Sequence, residues 1–330
     1  MESVNKMILD AVKNHDIEHV TIGLHGGEPM LMKKEHIKTI IDSIDSNFDN
    51  IKKHNPKITY SIGMQTNGTL IDAEWASFIR NKRIAIGISL DGNQENHDLN
   101  RVDFNGNGTY KAVANGIRNL IELNHPLGLL SVINPVSDAR LVHSELTNFN
   151  PEEIHYLLPD SDITPVDPGA VNAITDWLIT IFKIEMETRA IHRTRFVNKT
   201  LNAMLLKASS KSGTHTAITI DTNGDVYLVD EFRNILPKYD FHIGHVSTIN
   251  FMRIKKHIQA IDTNYNLSEL PIDCQNCKWA MVCQGGDLIA SPLNRFHNGS
   301  FNNKSNYCIS IHQYLDYVHN CLVNSGHLQV

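Results

Sequence analysis

Residues 20–29 read VTIGLHGGEP, a short apolar run that ends abruptly in two glycines, a glutamate and a proline. The run has the length of a buried strand, and the glycines and Pro29 mark the turn that ends it. Four further runs of this kind, separated by stretches with helical periodicity, predict strands over residues 58–64, 84–89, 127–133 and 154–158. Strands that alternate with helices predict a parallel sheet covered by helices, an α/β fold.

Polar or Gly/Pro-marked residues follow each predicted strand: HGGEP at 25–29, QTNGT at 65–69, LDGN at 90–93, NP at 134–135 and PD at 159–160. The carboxyl ends of parallel strands meet at one edge of a sheet, so we expect an active site there. Glu28 supplies a carboxylate, and two glycines permit close approach, which suits an ammonium group. At residues 25–29 a tight turn without a ligand accounts for the sequence equally well. At residues 65–68 and 89–92 a turn alone is the favoured interpretation, because Asn-Gly and Asp-Gly are ordinary turn dipeptides.

The composition is that of an ordinary globular protein. The chain has 330 residues, 41% of them hydrophobic and 20% charged, which excludes disordered and collagen-like classes. The net charge of −6 argues against non-specific nucleic-acid binding. Its apolar stretches are shorter than the ~20 residues that cross a membrane, and residues 1–6 lack the pattern of a signal peptide. We therefore expect a cytoplasmic protein that binds neither nucleic acid nor membrane.

All five cysteines follow residue 273, in the pattern Cys274-x2-Cys277-x5-Cys283 and then Cys308 and Cys321. Clustered thiols in a reducing compartment are expected to hold a metal rather than to form disulfides. Four thiolates suit tetrahedral zinc or an iron–sulfur cluster, and spacing alone does not separate the two. Cys321, on the last predicted helix, is expected to be a packed core thiol.

Together these segments resemble radical S-adenosylmethionine (SAM) enzymes of the SPASM type, specifically maturases that act on ribosomally made peptides. The resemblance covers essentially the whole chain, and the combination of motifs is more specific than any one of them. The matching stretches are GGEP at 26–29, QTNGTLID at 65–72, GISLDG at 87–92, HDLNR at 97–101, GNGTY at 106–110, DEFR at 230–233, CQNCKWAMVCQGG at 274–286 and RFHNGSFNNKSNYC at 295–308.

The resemblance implies a partial (β/α) barrel over residues 1–210 and a SPASM-like iron–sulfur-binding extension over residues 211–330. It implies that Glu28 receives the amino group of SAM and that Asp230 is the candidate catalytic residue. The SAM-binding residues that it implies are Gly26, Gly27, Glu28, Pro29, Asn67 and Ser89. It favours a 4Fe–4S cluster over zinc at Cys274, Cys277, Cys283 and Cys308. The expected partner is a precursor peptide, which the family modifies or crosslinks.

Two departures from the family limit what this chain is expected to do. The family's CxxxCxxC loop, whose cluster reduces SAM, has no counterpart before Cys274, so we expect the barrel to lack its first strand and the chain not to cleave SAM. Asp287 stands where many SPASM proteins have a further cysteine, which leaves one complete set of four. The alternative function is a non-catalytic peptide-binding homologue with an iron–sulfur or zinc site, partnered by a complete maturase or a leader-binding protein.

Overall fold

A computed structural model describes residues 1–15, 17–159, 167–188, 193–206, 217–229, 232, 236–286 and 292–328. The strands in these ranges are β1 (His19–Leu24), β2 (Thr59–Thr66), β3 (Ala85–Ser89), β4 (Leu127–Val132), β5 (Glu153–Leu157), β6 (Thr219–Ile220), β7 (Asp225–Tyr227) and β8 (His242–His245). The helices are α1 (Glu2–Asn14), α2 (Lys34–Lys52), α3 (Ala73–Asn81), α4 (Gln94–Asp98), α5 (Tyr110–Glu122), α6 (Ala139–Asn148), α7 (Pro168–Thr188), α8 (Arg195–Leu205), α9 (Lys238–Phe241), α10 (Phe251–Tyr265), α11 (Ala280–Cys283) and α12 (Cys308–Asn324).

The first five strands form one sheet in the order β1-β2-β3-β4-β5. The pairs β1–β2, β3–β4 and β4–β5 are parallel, and at least one helix separates each strand from the next along the chain. The predicted α/β fold is therefore confirmed. Each predicted strand begins and ends within two residues of the observed one, the usual uncertainty at the ends of elements.

The alternating burial of strand residues explains why sequence periodicity predicted where the strands lie. On β4, Leu127 and Leu129 are buried, whereas Gly128 and Leu130, which alternate with them, are partly exposed. Successive side chains of a strand point to opposite faces, so this alternation gives the sheet one buried apolar face. The other face carries polar contacts, as at His19 of β1, whose ring nitrogens contact hydroxyl groups of β2.

The chain divides into two compact units, each discontinuous in sequence. The first comprises Met1–Thr66, Asn81–Ala85 and Gly213–Leu267, and the second comprises Asn67–Arg80, Ile86–Ser212 and Ser268–Val330. In the first unit α1 packs against α2 and α10. In the second unit α7 packs against α12, where the Ser310 hydroxyl donates to the carbonyl of Val171 at 2.8 Å. The domain boundary between residues 210 and 211 stays a prediction.

Helices α7 and α8 are two separate elements, because the chain between them pairs with the sheet. The amide of Ile154 in β5 donates to the carbonyl of Arg193 at 2.7 Å, and Thr194 donates its hydroxyl to the buried carboxylate of Glu185. Both contacts are tertiary, so the local helical periodicity gave no sign of the break.

Asn223-Gly224, a turn dipeptide, joins β6 and β7 in a hairpin that belongs to a three-stranded antiparallel sheet. Gly224 has a φ of +92°, which favours glycine, and its amide donates to the carbonyl of Asp221 at 2.8 Å. The third strand, β8, was not predicted. Its sequence, HIGH, is short and contains a glycine, so only its pairing with β7 defines it as a strand.

A helix that crosses a lipid bilayer has to be both long and apolar. Within the residues that the structure describes, no helix combines the length and the apolar character needed to cross a membrane.

Candidate cofactor and metal sites

The loop that follows β1 holds Glu28 by two hydrogen bonds. Glu28 is extended (φ −155°) and caps the 3-10 turn Pro29–Leu31, with its Oε1 accepting from the amide of Met30 at 3.0 Å. The same oxygen accepts from the hydroxyl of Thr66 at 2.7 Å. Thr66 is the last residue of β2 and is buried. The carboxylate is therefore fixed where two neighbouring strands end, by residues of a single unit.

Gly26 and Gly27 leave this loop open. Gly26 has a φ of +140°, a backbone conformation that residues with a side chain rarely adopt. A Cβ added at either glycine would have no described atom within 4 Å, apart from its chain neighbours. The loop thus presents uncovered backbone beside an oriented carboxylate, which suits the binding of an ammonium group.

Asn67 and Ser89 lie at strand ends in the second unit. The Oδ1 of Asn67 accepts from the amide of Thr69 at 3.0 Å and from its hydroxyl at 2.8 Å, so this side chain stabilises the turn. Gly68 follows with a φ of +75°, and a Cβ there would lie 2.8 Å from a methyl carbon of Ile88. Ser89 ends β3 and is partly exposed. The turn role predicted for Asn67 is therefore observed.

The loop between β3 and α5 is held by a network around Asp91. The carboxylate of Asp91 accepts from Arg101 Nε and, at 2.9 Å, from the amide of Val132. The amide of Asp91 donates to His97 Nδ1 at 3.2 Å, so the His97 proton is assigned to Nε2, 3.1 Å from the Thr109 hydroxyl. Burial lowers the pKa of His97, which favours this neutral ring. Thr109 precedes α5 and donates its hydroxyl to the carbonyl of Arg101.

Short turns bring the four clustered cysteines together. Cys274 ends a 3-10 turn, and its carbonyl accepts from the amide of Cys277 at 3.1 Å. Cys283 ends α11, after which three residues with positive φ, Gln284 to Gly286, reverse the chain. Cys308 begins α12.

All four of these cysteines line one cavity of about 20 Å³, together with Trp279 and His312. Cys321, further along α12, is not part of its lining. This volume admits about one water-sized occupant. Within the described ranges, no three histidine, cysteine, aspartate or glutamate side chains form a ready metal-binding group. The thiols therefore have to draw together, or the cavity has to widen, when a metal or cluster binds.

The thiols are in an environment that disfavours free thiolates. Burial raises the pKa of Cys283 to about 12. Burial, reinforced by the Cys308 and Cys277 thiols, raises the pKa of Cys274, and burial also raises the pKa of Cys308. A bound metal cation compensates the charge of deprotonated thiols, which is why metal binding and folding are coupled at such sites. As a donor set, four thiols around one cavity fit tetrahedral zinc or an iron–sulfur cluster.

The structure adds two residues that the sequence reasoning missed. Thr66 is 38 residues from its partner Glu28, so no local pattern links them. His312 follows Cys308 by four residues on α12, and this spacing was a usable signal, because residues i and i+4 share a helix face. The candidate catalytic residue Asp230 lies outside the described residues, and so does Asp287.

The family is indicated by the part of the chain that contains the Glu28 loop. A sequence profile of the Radical SAM superfamily matches residues 2–144. Proteins of this superfamily bind a 4Fe–4S cluster and SAM. The matched segment includes β1 to β4, the Gly26–Pro29 loop, Asn67 and Ser89.

Sequence similarity to known proteins extends beyond residues 2–144 to nearly the whole chain. The cysteine-type anaerobic sulfatase-maturating enzyme of Clostridium perfringens (strain 13 / Type A) is 25% identical over 98% of this chain and 87% of that protein. The corresponding enzyme of Clostridium novyi (strain NT) is 27% identical over 92% of this chain and 81% of that protein. A serine-type enzyme of Bacteroides thetaiotaomicron is 24% identical, over 96% and 80% of the two chains.

Solved structures share the fold. Native anSMEcpe with bound AdoMet superposes with a TM-score of 0.76 at 21% identity, covering 98% of this chain and 89% of that chain. Streptococcus suis SuiB bound to precursor peptide SuiA gives a TM-score of 0.58 at 13% identity, covering 93% of this chain and 68% of that chain. The chain thus has an α/β fold of the radical SAM type.

Proposed function

We propose that this protein is a radical SAM/SPASM family member resembling maturases that modify or crosslink a ribosomally made precursor peptide, and that the present 330 residues, which lack the SAM-cluster cysteines, do not by themselves cleave SAM. One observation carries the proposal: four cysteines that follow the profile match at residues 2–144 by more than 100 residues line a single cavity. A metal site of four cysteines in this part of the chain is what the SPASM resemblance implies. The similarity to sulfatase-maturating enzymes along 98% of the chain supports a polypeptide substrate.

In the proposed SAM site, Glu28 binds the amino group of SAM. Its Oε1 is already oriented by Thr66 and Met30, so the carboxylate needs little rearrangement to meet a cation. Gly26, Gly27 and Pro29 shape the open loop, and Asn67 and Ser89 are the proposed contacts on later strands. SAM, when bound and reduced, supplies the hydrogen-abstracting chemistry, whereas these residues bind and orient it.

In the proposed metal site, Cys274, Cys277, Cys283 and Cys308 bind an iron–sulfur cluster. The resemblance to SPASM proteins favours iron and sulfide, and a single zinc ion is the alternative that the donor set also permits. Anaerobically purified and reconstituted protein should be brown, with iron and sulfide in nearly equal amounts by chemical analysis. Colourless protein with stoichiometric zinc after the same treatment would show that the centre is structural zinc.

A second candidate function is a non-catalytic peptide-binding homologue or partner subunit. The specific observation in its favour is that residues 1–273 contain no cysteine, so these 330 residues include no CxxxCxxC set for the cluster that reduces SAM. On this hypothesis the fold binds the precursor peptide and serves a complete maturase or a leader-binding protein. The C-terminal centre is then structural.

A turnover assay separates the two functions. We expect the 330-residue chain to bind SAM weakly in calorimetry, because one partly screened charge interaction and hydrogen bonds replace chelation by a cluster. We expect no deoxyadenosine from SAM with dithionite as the reductant. Deoxyadenosine formation by this chain would establish catalysis and rule out the non-catalytic alternative.

A further inference from the structure

Asp316 joins the two chain segments that supply the clustered cysteines. On α12, its Oδ1 accepts from Lys278 Nζ and from Trp279 Nε1, each at 2.7 Å. Lys278 and Trp279 directly follow Cys277, and Asp316 lies two turns after Cys308. Its carboxylate therefore ties the loop between Cys277 and Cys283 to the helix that begins with Cys308.

The second oxygen of Asp316 faces a histidine, and both side chains are partly exposed. His312 Nδ1 lies 3.4 Å from Asp316 Oδ2, at the i,i+4 spacing of one helix face. With the proton of a neutral imidazole assigned to Nδ1, facing the carboxylate, Nε2 keeps its lone pair. A histidine that ligates a metal through one nitrogen commonly donates its other N–H to a carboxylate in this way.

His312 also lines the cavity that the four cysteines share. The cavity is thus surrounded by five side chains of metal-ligand type, one more than zinc or a cubane cluster requires. Cys308 and His312 are four residues apart on α12, so they reach the cavity from one face of one helix. Exchanging one for the other as ligand leaves the other three cysteines in place.

We propose that His312 is an additional ligand of this centre, able through Nε2 to take the place of Cys308, and that Asp316 is its positioning residue. The proposal rests on the metal centre put forward under the proposed function. It gives the centre two ligand sets, one of four cysteines and one of three cysteines and a histidine, and both sets use the same three cysteines from residues 274–283. Imidazole and thiolate are both good ligands for zinc and for iron.

The test compares metal retention in single and double variants after anaerobic reconstitution. Cys308→Ala should keep its metal, with an altered visible or paramagnetic resonance spectrum. It should release the metal to a chelator about tenfold faster, since changing a residue that supports a metal site costs about 10–100-fold in metal affinity. Cys308→Ala/His312→Gln should lose the metal. His312→Gln alone should retain the four-cysteine centre.

Two matched controls separate ligand exchange from general loss of structure. Cys277→Ala, which is followed three and four residues later by Ala280 and Met281, has no thiol, imidazole or carboxylate to replace it and should lose the metal. His319→Gln, on α12 and edge-on to the Trp279 ring but not lining the cavity, should behave as the unmodified protein. Circular dichroism of each variant confirms that the fold is retained.

Asp316 is tested in the Cys308→Ala background. There Asp316→Asn should accelerate metal release about 10–100-fold. The control is Asp42→Asn, which likewise removes a carboxylate, in this case one that contacts two lysines, and it should not change metal release. Equal metal loss in Cys308→Ala and the double variant, or equal retention in both, would overturn the proposal. Unmodified protein that binds no metal would instead refute the proposed centre itself.

Discussion

The hydroxyl of Thr66 donates a 2.7 Å hydrogen bond to Oε1 of Glu28, and so joins the end of β2 to the loop that follows β1. Thr66 is 2% exposed, whereas Glu28 is partly exposed. A buried donor thus fixes a carboxylate that a ligand can reach. This arrangement makes the effects of the two side chains on stability and on ligand binding separable.

Replacing Thr66, the hydrogen-bond donor, tests how much this bond contributes to stability. Thr66→Val removes the hydroxyl at nearly constant volume, and we expect a loss of about 1 kcal/mol in the free energy of unfolding. SAM affinity should fall as well, because the Glu28 carboxylate then loses one of the hydrogen bonds that orient it. Urea denaturation and calorimetry measure the two effects, and Thr66→Ser should restore both. Unchanged stability in Thr66→Val would contradict the importance of this bond.

Replacing the charged carboxylate of Glu28 tests its proposed role in binding SAM. Glu28→Gln keeps an oxygen that accepts from Met30 and Thr66, so the free energy of unfolding should change by no more than about 0.5 kcal/mol. SAM affinity should drop, because an amide does not attract the ammonium group as a carboxylate does. Glu35→Gln, an exposed change in the first turn of α2, is the control and should leave SAM affinity unaltered. Equal SAM affinity in Glu28→Gln and the control would remove Glu28 from the proposed site.

The cysteine positions predict which thiols matter for the metal. Cys283→Ala removes a side chain from the cavity lining, and it should lower both the metal content and the soluble yield, since metal binding is coupled to folding. Cys321→Ala, on α12 outside the cavity, should do so much less. Metal analysis of anaerobically purified protein provides the measurement. Similar losses in the two variants would contradict the assignment of ligands.

Replacing Asp91 is expected to lower the stability of the fold even when no ligand is bound. Asp91→Asn weakens the contact with Arg101, whose side chain is 27% exposed, and changes the acceptor for the Val132 amide. We expect a loss of about 1–3 kcal/mol in the free energy of unfolding, the usual result when a partly buried charged group loses its partner. Glu95→Gln, exposed on the nearby α4, should cost no more than about 0.5 kcal/mol. Urea denaturation of both variants gives the comparison.

Buried histidines predict a loss of stability in acid. His143 is 4% exposed, with Nδ1 3.0 Å from the Tyr156 hydroxyl and Nε2 3.8 Å from the Glu185 carboxylate. Burial, with Arg193 nearby, lowers the pKa of His143 to about 4. Burial likewise lowers the pKa of His155 to about 4. Both side chains therefore remain neutral in the folded protein at a pH where they become charged once the chain unfolds.

The sign of the effect follows from which state binds more protons. An unfolded histidine titrates near pH 6.5, so the unfolded chain gains protons first as the pH falls. The stability associated with neutral His143 is fully present above about pH 6.5 and is lost as the pH falls toward 4, by roughly 1–2 kcal/mol at pH 5. His143→Gln should reduce this acid sensitivity, whereas exposed His36→Gln should not. Denaturant titrations at pH 7.5 and pH 5 test it, and identical acid sensitivity in both variants would contradict the assignment.

Local patterns in the sequence were sufficient to predict the five parallel strands and the α/β fold. Apolar runs such as Val20–Leu24 are bounded by Gly, Pro and Asn, and each signal lies within a few residues along the chain. The same holds for the spacing of the cysteines, since Cys274, Cys277 and Cys283 lie within a segment of ten residues. Burial of an apolar face and chelation at short spacing are both dictated by neighbours in sequence.

Tertiary structure decided what local patterns do not contain. The pairing of Thr66 with Glu28 spans 38 residues, and the interruption between α7 and α8 depends on pairing of Arg193 with β5. The strand β8 exists only because β7 lies beside it. Likewise, the shared cavity brings Cys308 and His312 of α12 to the three cysteines of residues 274–283. Each of these contacts forms between segments that are distant along the chain, so its energy depends on the folded arrangement and leaves no periodic signal in the sequence.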